Sequence, residues 1–157
     1  MRVLTFKAKP KAIFGAILIF TGIIVIILTF LSNHSGKAEQ ASSTPISCAT
    51  SEQRQSYLSS LGWEFDGESE KEITIPSKFN EVYNNYNSVQ KEQGFDLEKY
   101  KGKTATLYTY NITNYNSDDD IIADLIVSNG VLIGADLCNP SAEHGFLKAL
   151  EKNNAAT

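Results

Sequence analysis

The segment IIADLIVSNGVLIGADL, residues 121–137, decides the fold. Two apolar runs, residues 121–128 and 131–137, flank the dipeptide Asn129-Gly130. Both residues of this dipeptide tolerate a positive φ angle, and Asn-Gly between two apolar runs is the strongest short-range signal of a β-hairpin. The segment therefore predicts two antiparallel strands joined by a two-residue turn.

The residues before this hairpin predict a further strand. Residues 104–113 are rich in Thr and Tyr and place Tyr108, Tyr110 and Ile112 on one face. Such a composition is typical of a strand in a half-buried sheet. The polar residues 114–118 then predict a turn, so the three strands form a meander.

Three helices are predicted around these strands. The first begins at Thr50, which opens a capping-box pattern, and ends at Gly62. The second runs from a cap at Ser77 to Gly94, because its apolar residues recur at spacings of three and four. Those apolar residues are Phe79, Val82, Tyr83, Tyr86 and Val89. The third is a short helix over residues 142–150.

The stretch between the first two helices predicts extended structure. Trp63-Glu64-Phe65 alternates like a short strand, Asp66-Gly67 begins a polar turn, and residues 73–75 resume the extended run. Sequential strands joined by tight turns favour an antiparallel sheet. The predicted fold class is therefore α+β, with a small sheet of about four strands and two to three helices packed on one face.

Residues 12–31 predict a transmembrane helix. These twenty residues carry no charge, and a helix of that length spans the hydrocarbon core of a bilayer, roughly 30 Å. Arg2, Lys7, Lys9 and Lys11 precede it without any acidic residue, so the positive-inside rule keeps the amino terminus in the cytoplasm. The alternative is a cleaved signal peptide, although the apolar run exceeds the usual length of about 7–15 residues.

The sequence thus divides into four parts. Residues 1–11 form a basic cytoplasmic tail, 12–31 the membrane anchor, 32–49 a flexible tether rich in small polar residues, and 50–157 an extracytoplasmic domain. Beyond residue 31 the chain carries 10 basic and 18 acidic side chains, a net charge of −8. This charge argues against nucleic-acid binding. The expected partners are the lipid bilayer, through residues 12–31, and an envelope protein or peptide.

The two cysteines, Cys48 and Cys138, are the candidates for a disulfide bond on the exported side. A bridge between them closes a loop of about 90 residues and stabilises the fold by roughly 4–5 kcal/mol in the chain-entropy model. The alternative is two free thiols.

Catalytic and metal-binding patterns are sparse. Cys138 and His144 are the candidates for a nucleophile and its base in a small envelope enzyme. His34 lies in the tether, so the histidines predict no zinc site, and no other metal site or cofactor is expected. Residues 118–120 are three consecutive aspartates, which lack the alternating pattern of a calcium loop and predict a solvated turn.

The candidate recognition surface is the polar flank of the second helix together with the loop after it. Its four residues are Asn87, Gln90, Gln93 and Asp96. The tyrosines near it, such as Tyr83 and Tyr86, are expected mainly in the core, although tyrosines also line grooves for peptides or carbohydrates.

The exported domain resembles a known family. The resemblance is carried by the run from Arg54 to Glu64, by Ile75-Pro76, and above all by the string from Tyr86 to Lys103. These residues are similar to the domain of unknown function 4830. The resemblance implies a short protein of clostridia-like Gram-positive bacteria with one amino-terminal membrane span. It implies no activity, cofactor or catalytic residue, so a non-catalytic binding module is the leading expectation.

Overall fold

The computed structural model describes residues 45–153. The predicted basic tail, residues 1–11, the predicted membrane anchor, residues 12–31, and most of the predicted tether lie outside the described residues. Within residues 45–153, no helix is both long enough and apolar enough to cross a membrane.

The described part of the chain contains two α-helices, one 3-10 helix and five strands. The helices are α1 (Ser51–Ser60) and α2 (Glu81–Glu92), and the 3-10 helix is Leu97–Tyr100. The strands are β1 (Phe65–Thr74), β2 (Thr104–Ile112), β3 (Ile121–Ser128), β4 (Val131–Asn139) and β5 (Phe146–Ala149). They form one antiparallel sheet in chain order. The predicted α+β class is confirmed, with one strand more than expected.

The central strand β3 is buried on both faces, and all eight of its residues are buried. Its odd-numbered residues, such as Leu125, join a core cluster that contains Leu58 of α1. Ile126 belongs to a second cluster, against which Tyr83 and Tyr86 of α2 pack. Because successive side chains of a strand point to opposite faces, the two helices cover opposite faces of the sheet. The expectation that the helices pack on one face is wrong.

The hairpin between β3 and β4 is confirmed. Asn129 and Gly130 have φ angles of 51° and 76°, the combination that a two-residue turn with two positive φ angles requires. The register then shifts between Ile126 and Val127, because β4 contains an extra residue at this point. This β-bulge places Asp136, and not Ala135, opposite Asp124.

Three of the four predicted ends of the two α-helices are confirmed. The capping box at Thr50 is present, and Gly62 and Gly94 have positive φ angles of 80° and 85°. At Gly94 the amides of Gly94 and Phe95 donate to the carbonyls of Lys91 and Gln90, which is the Schellman geometry.

The predicted start of α2 at Ser77 is wrong. The helix begins at Glu81, and its cap is Asn80, whose side chain accepts a hydrogen bond from the Tyr83 amide. Asparagine and serine are about equally good caps, so Ser77 and Asn80 compete for this role, and the bond to Tyr83 places the cap at Asn80.

The predicted turn at Asp66-Gly67 is also wrong, because β1 is one continuous strand. Its pairing with β2 shifts register between Asp66 and Ser69, and Gly67 has a φ angle of 61°. A bulge uses the same left-handed glycine as a turn, so the local sequence does not distinguish the two.

The predicted helix over residues 142–150 is wrong as well. Residues Phe146–Ala149 form β5, which pairs with β4 from Asp136 to Asn139. A short apolar run is ambiguous between helix and strand, and here the unpaired edge of β4 decides in favour of the strand.

The folded domain begins before Thr50. Ser47 forms an isolated β-bridge with Val131. The Cys48 amide donates to the Gly130 carbonyl at 2.8 Å, and the Leu132 amide donates to the Ile46 carbonyl at 2.9 Å. Residues 46–48, called the clip below, therefore pair with the first residues of β4 and belong to the sheet.

The turn glycine gives a test of this fold. We expect Gly130→Ala to lower the free energy of unfolding by about 1–3 kcal/mol, because a non-glycine residue is strained at positive φ and the new Cβ lies 3.0 Å from the Cβ of Ala49. Chemical denaturation followed by the fluorescence of Trp63, the single tryptophan, measures the change.

Gly102→Ala is the matched control for this prediction. Gly102 also has a positive φ angle of 74°, but a Cβ there lies 3.8 Å from its nearest neighbour. Gly102→Ala should therefore lower the free energy of unfolding by less than Gly130→Ala does. An equal or larger cost at Gly102 would contradict the packing of Ala49 against the hairpin turn.

Candidate functional site

The predicted recognition residues have internal partners. Asn87 is buried; its side-chain oxygen accepts a hydrogen bond from the Leu97 amide at 2.8 Å, and its side-chain nitrogen donates to Asp96 at 3.1 Å. These bonds fasten the 3-10 helix to the end of α2. Asp96 caps that 3-10 helix by accepting from the Glu98 amide.

Gln90 and Gln93 complete the outer edge of β4. Gln90 is fully buried, and its Oε1 accepts a hydrogen bond from the Ala135 amide at 2.8 Å. Gln93 donates from Nε2 to the Ala135 carbonyl at 2.7 Å and accepts from the Leu150 amide at 3.0 Å. Both backbone groups of Ala135 are thus satisfied by glutamine side chains. A binding role for the four residues stays a prediction, while their contacts define a structural role.

The structure brings together two acidic residues that the sequence analysis did not single out. Asp124 of β3 lies directly opposite Asp136 of β4. Both residues are buried in the sheet, with exposed fractions of 6% for Asp124 and 2% for Asp136. Tyr86 of α2 donates a hydrogen bond to Asp136 Oδ2 at 2.7 Å. Thr109 of β2 donates to Asp124 Oδ1. The second oxygen of Asp136, Oδ1, is buried without a hydrogen-bond partner.

The surroundings of this acid pair favour its protonated form. Burial raises the pKa of both carboxyls above the ordinary range of aspartate, and the negative charge of Asp124 raises the pKa of Asp136 further. The hydrogen bonds from Thr109 and Tyr86 act in the opposite direction but do not cancel the effect of burial.

The sequence contains one signal that Asp124 and Asp136 lie opposite each other. Counted outward from Asn129-Gly130, an ideal two-residue hairpin pairs Asp124 with Ala135. A lone glycine inside a strand pattern, here Gly134, indicates a bulge. The extra residue moves Asp136 into register with Asp124.

The two cysteines do not meet. Both lie within the described residues, and both are buried free thiols. Cys48 is in the clip beside Gly130 at one end of β4, whereas Cys138 lies opposite Ile122 near the other end. The predicted bridge is therefore absent from the structure, and the alternative of two free thiols describes it.

The environment of Cys138 opposes a role as a nucleophile. Burial raises the pKa of the Cys138 thiol far above its ordinary value, and the charges of Asp136 and Asp124 raise it further. The thiolate is the reactive form of cysteine. The predicted base, His144, has a side chain that is 73% exposed, and its Nδ1 lies 3.6 Å from Asp119 Oδ2.

An open groove of about 500 Å³ lies beside β5. Its lining comes from Trp63, Glu92, Asn114, Tyr115, Asn116, Lys148, Ala149, Glu151, Lys152 and Asn153. The groove thus combines two aromatic rings, three asparagine side chains and charges of both signs. None of these residues belongs to the predicted recognition surface.

Internal contacts fix the walls of this groove. Trp63 donates from its indole nitrogen to the Glu151 carbonyl at 2.9 Å. The rings of Trp63 and Tyr115 stack with their centroids 6.1 Å apart. Lys148 donates to the Tyr115 hydroxyl at 3.1 Å and lies over the Tyr115 ring. Because these residues hold one another in place, the groove is formed before any ligand binds.

Within the described residues, no group of three or more His, Cys, Asp or Glu side chains is placed to hold a metal ion. The groove and the acid pair each bring several polar groups together.

An antiparallel meander of five strands with one helix on each face defines a small α+β domain. The sequence pattern of the family described as Domain of unknown function (DUF4830) matches residues 57–137, more than half of the chain. The chain belongs to this family. The matched region runs from Tyr57 in α1 to Leu137 and contains the acid pair and half of the residues that line the groove, whereas β5 lies beyond it. No curated protein and no solved structure matches the chain.

The burial of the thiols gives a test of the cysteine assignment. We expect the native protein, kept without reductant, to react slowly with a maleimide, because both thiols are buried and the thiolate of Cys138 is disfavoured. After denaturation, still without reductant, two thiols per chain should titrate.

Cys138→Ala is the control, because one thiol per chain should titrate in this variant after denaturation. Fewer than two thiols in the denatured wild type would contradict the free state of the cysteines. Fast native modification that Cys138→Ala removes would contradict the burial of that thiol and favour the thiol-enzyme alternative.

Proposed function

We propose that the protein is a non-catalytic binding module, held at the outer surface of the cell membrane by residues 12–31, and that the groove beside β5 binds a peptide segment of an envelope protein. The observation that carries the proposal is the preformed groove with its mixed lining. Its aromatic rings offer apolar contact, and its asparagine side chains offer hydrogen bonds.

The charges in the groove favour a peptide over a polyanion. Glu92 and Glu151 contribute negative charge, and Lys148 and Lys152 contribute positive charge. A peptide presents charges of both signs, together with backbone groups and side chains. The net charge of −8 beyond residue 31 also opposes nucleic acid.

The position of the groove also suits an extended ligand. Within the described residues, β5 is an edge strand that pairs only with β4. An extended peptide can add to such an edge through backbone hydrogen bonds, while pockets beside the edge select its side chains. Lys148 and Ala149 of β5 line the groove, so one peptide can contact both this edge and the groove.

The alternative function, an envelope enzyme that uses Cys138 with His144, has less support. The thiol is buried and its pKa is raised. The side chain of His144 is exposed, and its Nδ1 lies 3.6 Å from Asp119 Oδ2. A thiolate nucleophile needs an accessible site that lowers its pKa, which is the opposite of the environment of Cys138.

The membrane location rests on the sequence. The uncharged run of residues 12–31 has the length of a bilayer span, and the cations before it favour a cytoplasmic amino terminus. In this topology the domain faces the outside of the cell, where a peptide partner of the envelope is within reach.

Photo-crosslinking in intact cells tests the proposal. A photoreactive amino acid placed at Asn116 or at Lys152, two exposed residues of the groove, should give an adduct of defined mass. The same reagent at Glu72, an exposed residue on the opposite edge of the sheet, should not give it. Tyr115→Ala should abolish the groove adduct, because the variant removes an aromatic wall.

Two further measurements make this experiment decisive. The thermal unfolding of Tyr115→Ala must stay close to that of the wild type, so that a lost adduct reports on the groove. Protease added to intact protoplasts must digest the adducted domain if it faces outward. Absence of a groove adduct, or an adduct that Tyr115→Ala leaves unchanged, would contradict the proposed binding site.

A further inference from the structure

The acid pair lies on one row of residues that crosses four of the five strands, on the face of the sheet that α2 covers. Thr109, Asp124, Asp136 and Ala149 are aligned on the four strands from β2 to β5. In this row two carboxyls face each other on neighbouring strands, and side chains directly opposite on such strands lie about 5 Å apart. Two negative charges at that distance inside a protein repel each other strongly.

The hydrogen bonds at the pair leave a buried oxygen of Asp136 without a partner. Tyr86 donates to Asp136 Oδ2 and Thr109 donates to Asp124 Oδ1. Asp136 Oδ1 is buried with no partner. A buried polar atom without a partner costs roughly 1–3 kcal/mol. A proton on one of the two carboxyls removes the repulsion between the two charges. It also lets Asp136 Oδ1 take part in a hydrogen bond, as donor or as acceptor.

We propose that Asp124 and Asp136 hold one proton between them, and that this proton controls how firmly α2 is docked on the sheet. The link to α2 is direct, since the Tyr86 hydroxyl that reaches Asp136 belongs to α2. Loss of the proton places two negative charges below the helix and beside its tyrosines. The protein thereby responds to pH through residues that are not among those lining the proposed peptide groove.

Several other titratable groups face the pair. They are Tyr83 and Tyr86 from α2 and Cys138 from β4. Lys71 of β1 is exposed and pairs with Leu107, on the same face of the sheet but two positions along β2 from Thr109. Burial raises the pKa of Tyr83 to about 12 and raises the pKa values of Tyr86 and Cys138. These three groups therefore stay neutral near pH 7, and the two aspartates are the ones that titrate.

The direction of the pH effect follows from linkage. The folded domain binds the shared proton more tightly than the unfolded chain does, because the pKa values of the two aspartates are raised on folding. The stabilisation is therefore complete below the ordinary pKa of aspartate, about 3.9, and is lost as the pH rises through the folded pKa values. Each such proton changes the unfolding equilibrium constant by up to about tenfold per pH unit.

The other shifted carboxyls act at lower pH. Glu52, Glu68, Asp96 and Glu98 have pKa values below their ordinary values. Their stabilising contribution is present above the ordinary values, roughly 4–4.5, and is lost only as the pH falls. The interval from pH 5 to pH 7.5 therefore isolates the acid pair from these groups.

The first measurement is a carbon NMR titration of the aspartate carboxyl groups. In the full-length protein in detergent, labelled with ¹³C at the aspartate carboxyl carbons, two carboxyl signals should titrate together, with one step well above the ordinary pKa of aspartate. Asp136→Asn should remove one of them and shift the other. Ordinary titration of both aspartates in the folded wild type would overturn the proposal.

The second measurement is the unfolding equilibrium constant as a function of pH. For the wild type we expect an increase of about tenfold or more from pH 5 to pH 7.5. Asp136→Asn keeps a side chain of the same shape that can donate to Asp124, so its increase should be less than about threefold. Asp124→Asn serves if the first variant does not fold.

His144→Gln is the matched control, because it replaces the one histidine of the described residues and leaves both aspartates in place. It should retain the pH dependence of the wild type. A pH dependence that disappears in His144→Gln and persists in both aspartate variants would overturn the proposal. Ca²⁺ or Zn²⁺ that shifts the two carboxyl signals and stabilises the wild type, but not Asp136→Asn, would identify a cation site and also overturn it.

Amide exchange locates the change within the fold. Between pH 5 and pH 7.5, after correction for the intrinsic pH dependence of exchange, α2 should lose protection and α1 should keep it. Equal losses in the two helices would overturn the link between the proton and the docking of α2.

Discussion

Each backbone N–H and C=O group along a buried strand needs a hydrogen-bond partner, and β4 meets this requirement in an unusual way. β3 pairs with β4 along its inner edge. Along the outer edge, the clip covers the first residues, the side chains of Gln90 and Gln93 satisfy Ala135, and β5 pairs from Asp136 onward. Three segments that are far apart in the chain thus complete one strand.

This arrangement fixes the position of α2. Gln90 and Gln93 reach Ala135 only if the end of α2 lies close to β4, and Gly134 permits the approach. A Cβ at Gly134 would lie 3.1 Å from Gln90 Oε1 and 3.3 Å from Ile126 Cδ1. The same approach brings the Tyr86 hydroxyl to Asp136. The docking of the helix and the environment of the acid pair are therefore parts of one constraint.

On the face of the sheet that α1 covers, a buried arginine holds the packed elements together. Arg54 of α1 forms an ion pair with Glu68 at 2.8 Å, donates to Tyr110, and lies over the ring of Tyr108 at 3.6 Å. It also donates to the carbonyl of Cys48 in the clip at 3.3 Å. Burial alone would raise the pKa of Glu68, but the hydrogen bonds from Arg54, Tyr110 and Ser51 bring it below its ordinary value. One cation thus joins α1, two strands and the clip.

Local signals in the sequence were sufficient where local chemistry decides the structure. The Asn129-Gly130 turn, the capping box at Thr50 and the glycine at the end of α2 depend on residues within a few positions of one another. β5 is different, because the free edge of β4 selects a strand where the apolar spacing of residues 142–150 also suits a helix.

The candidate sites were harder to predict for the same reason. The polar side chains of Gln90 and Gln93 suggested an exposed surface, since nothing local indicates that they satisfy a strand edge more than 40 positions away. The acid pair depends on a bulge that shifts the register by one residue. The groove beside β5 requires Trp63 and Lys148, which are far apart in the sequence, to line one surface with Tyr115, so only the tertiary structure reveals it.

The amide exchange rates of Ala135 and Leu150 test most directly whether glutamine side chains complete the edge of β4. Both amides donate to these side chains, to Gln90 and Gln93 respectively. The predicted result is exchange as slow as that of the β3 amides, through opening of the whole domain. Exchange as fast as that of the exposed loop residue Asn116 would show that the edge is open, and would contradict this account of how α2 is held.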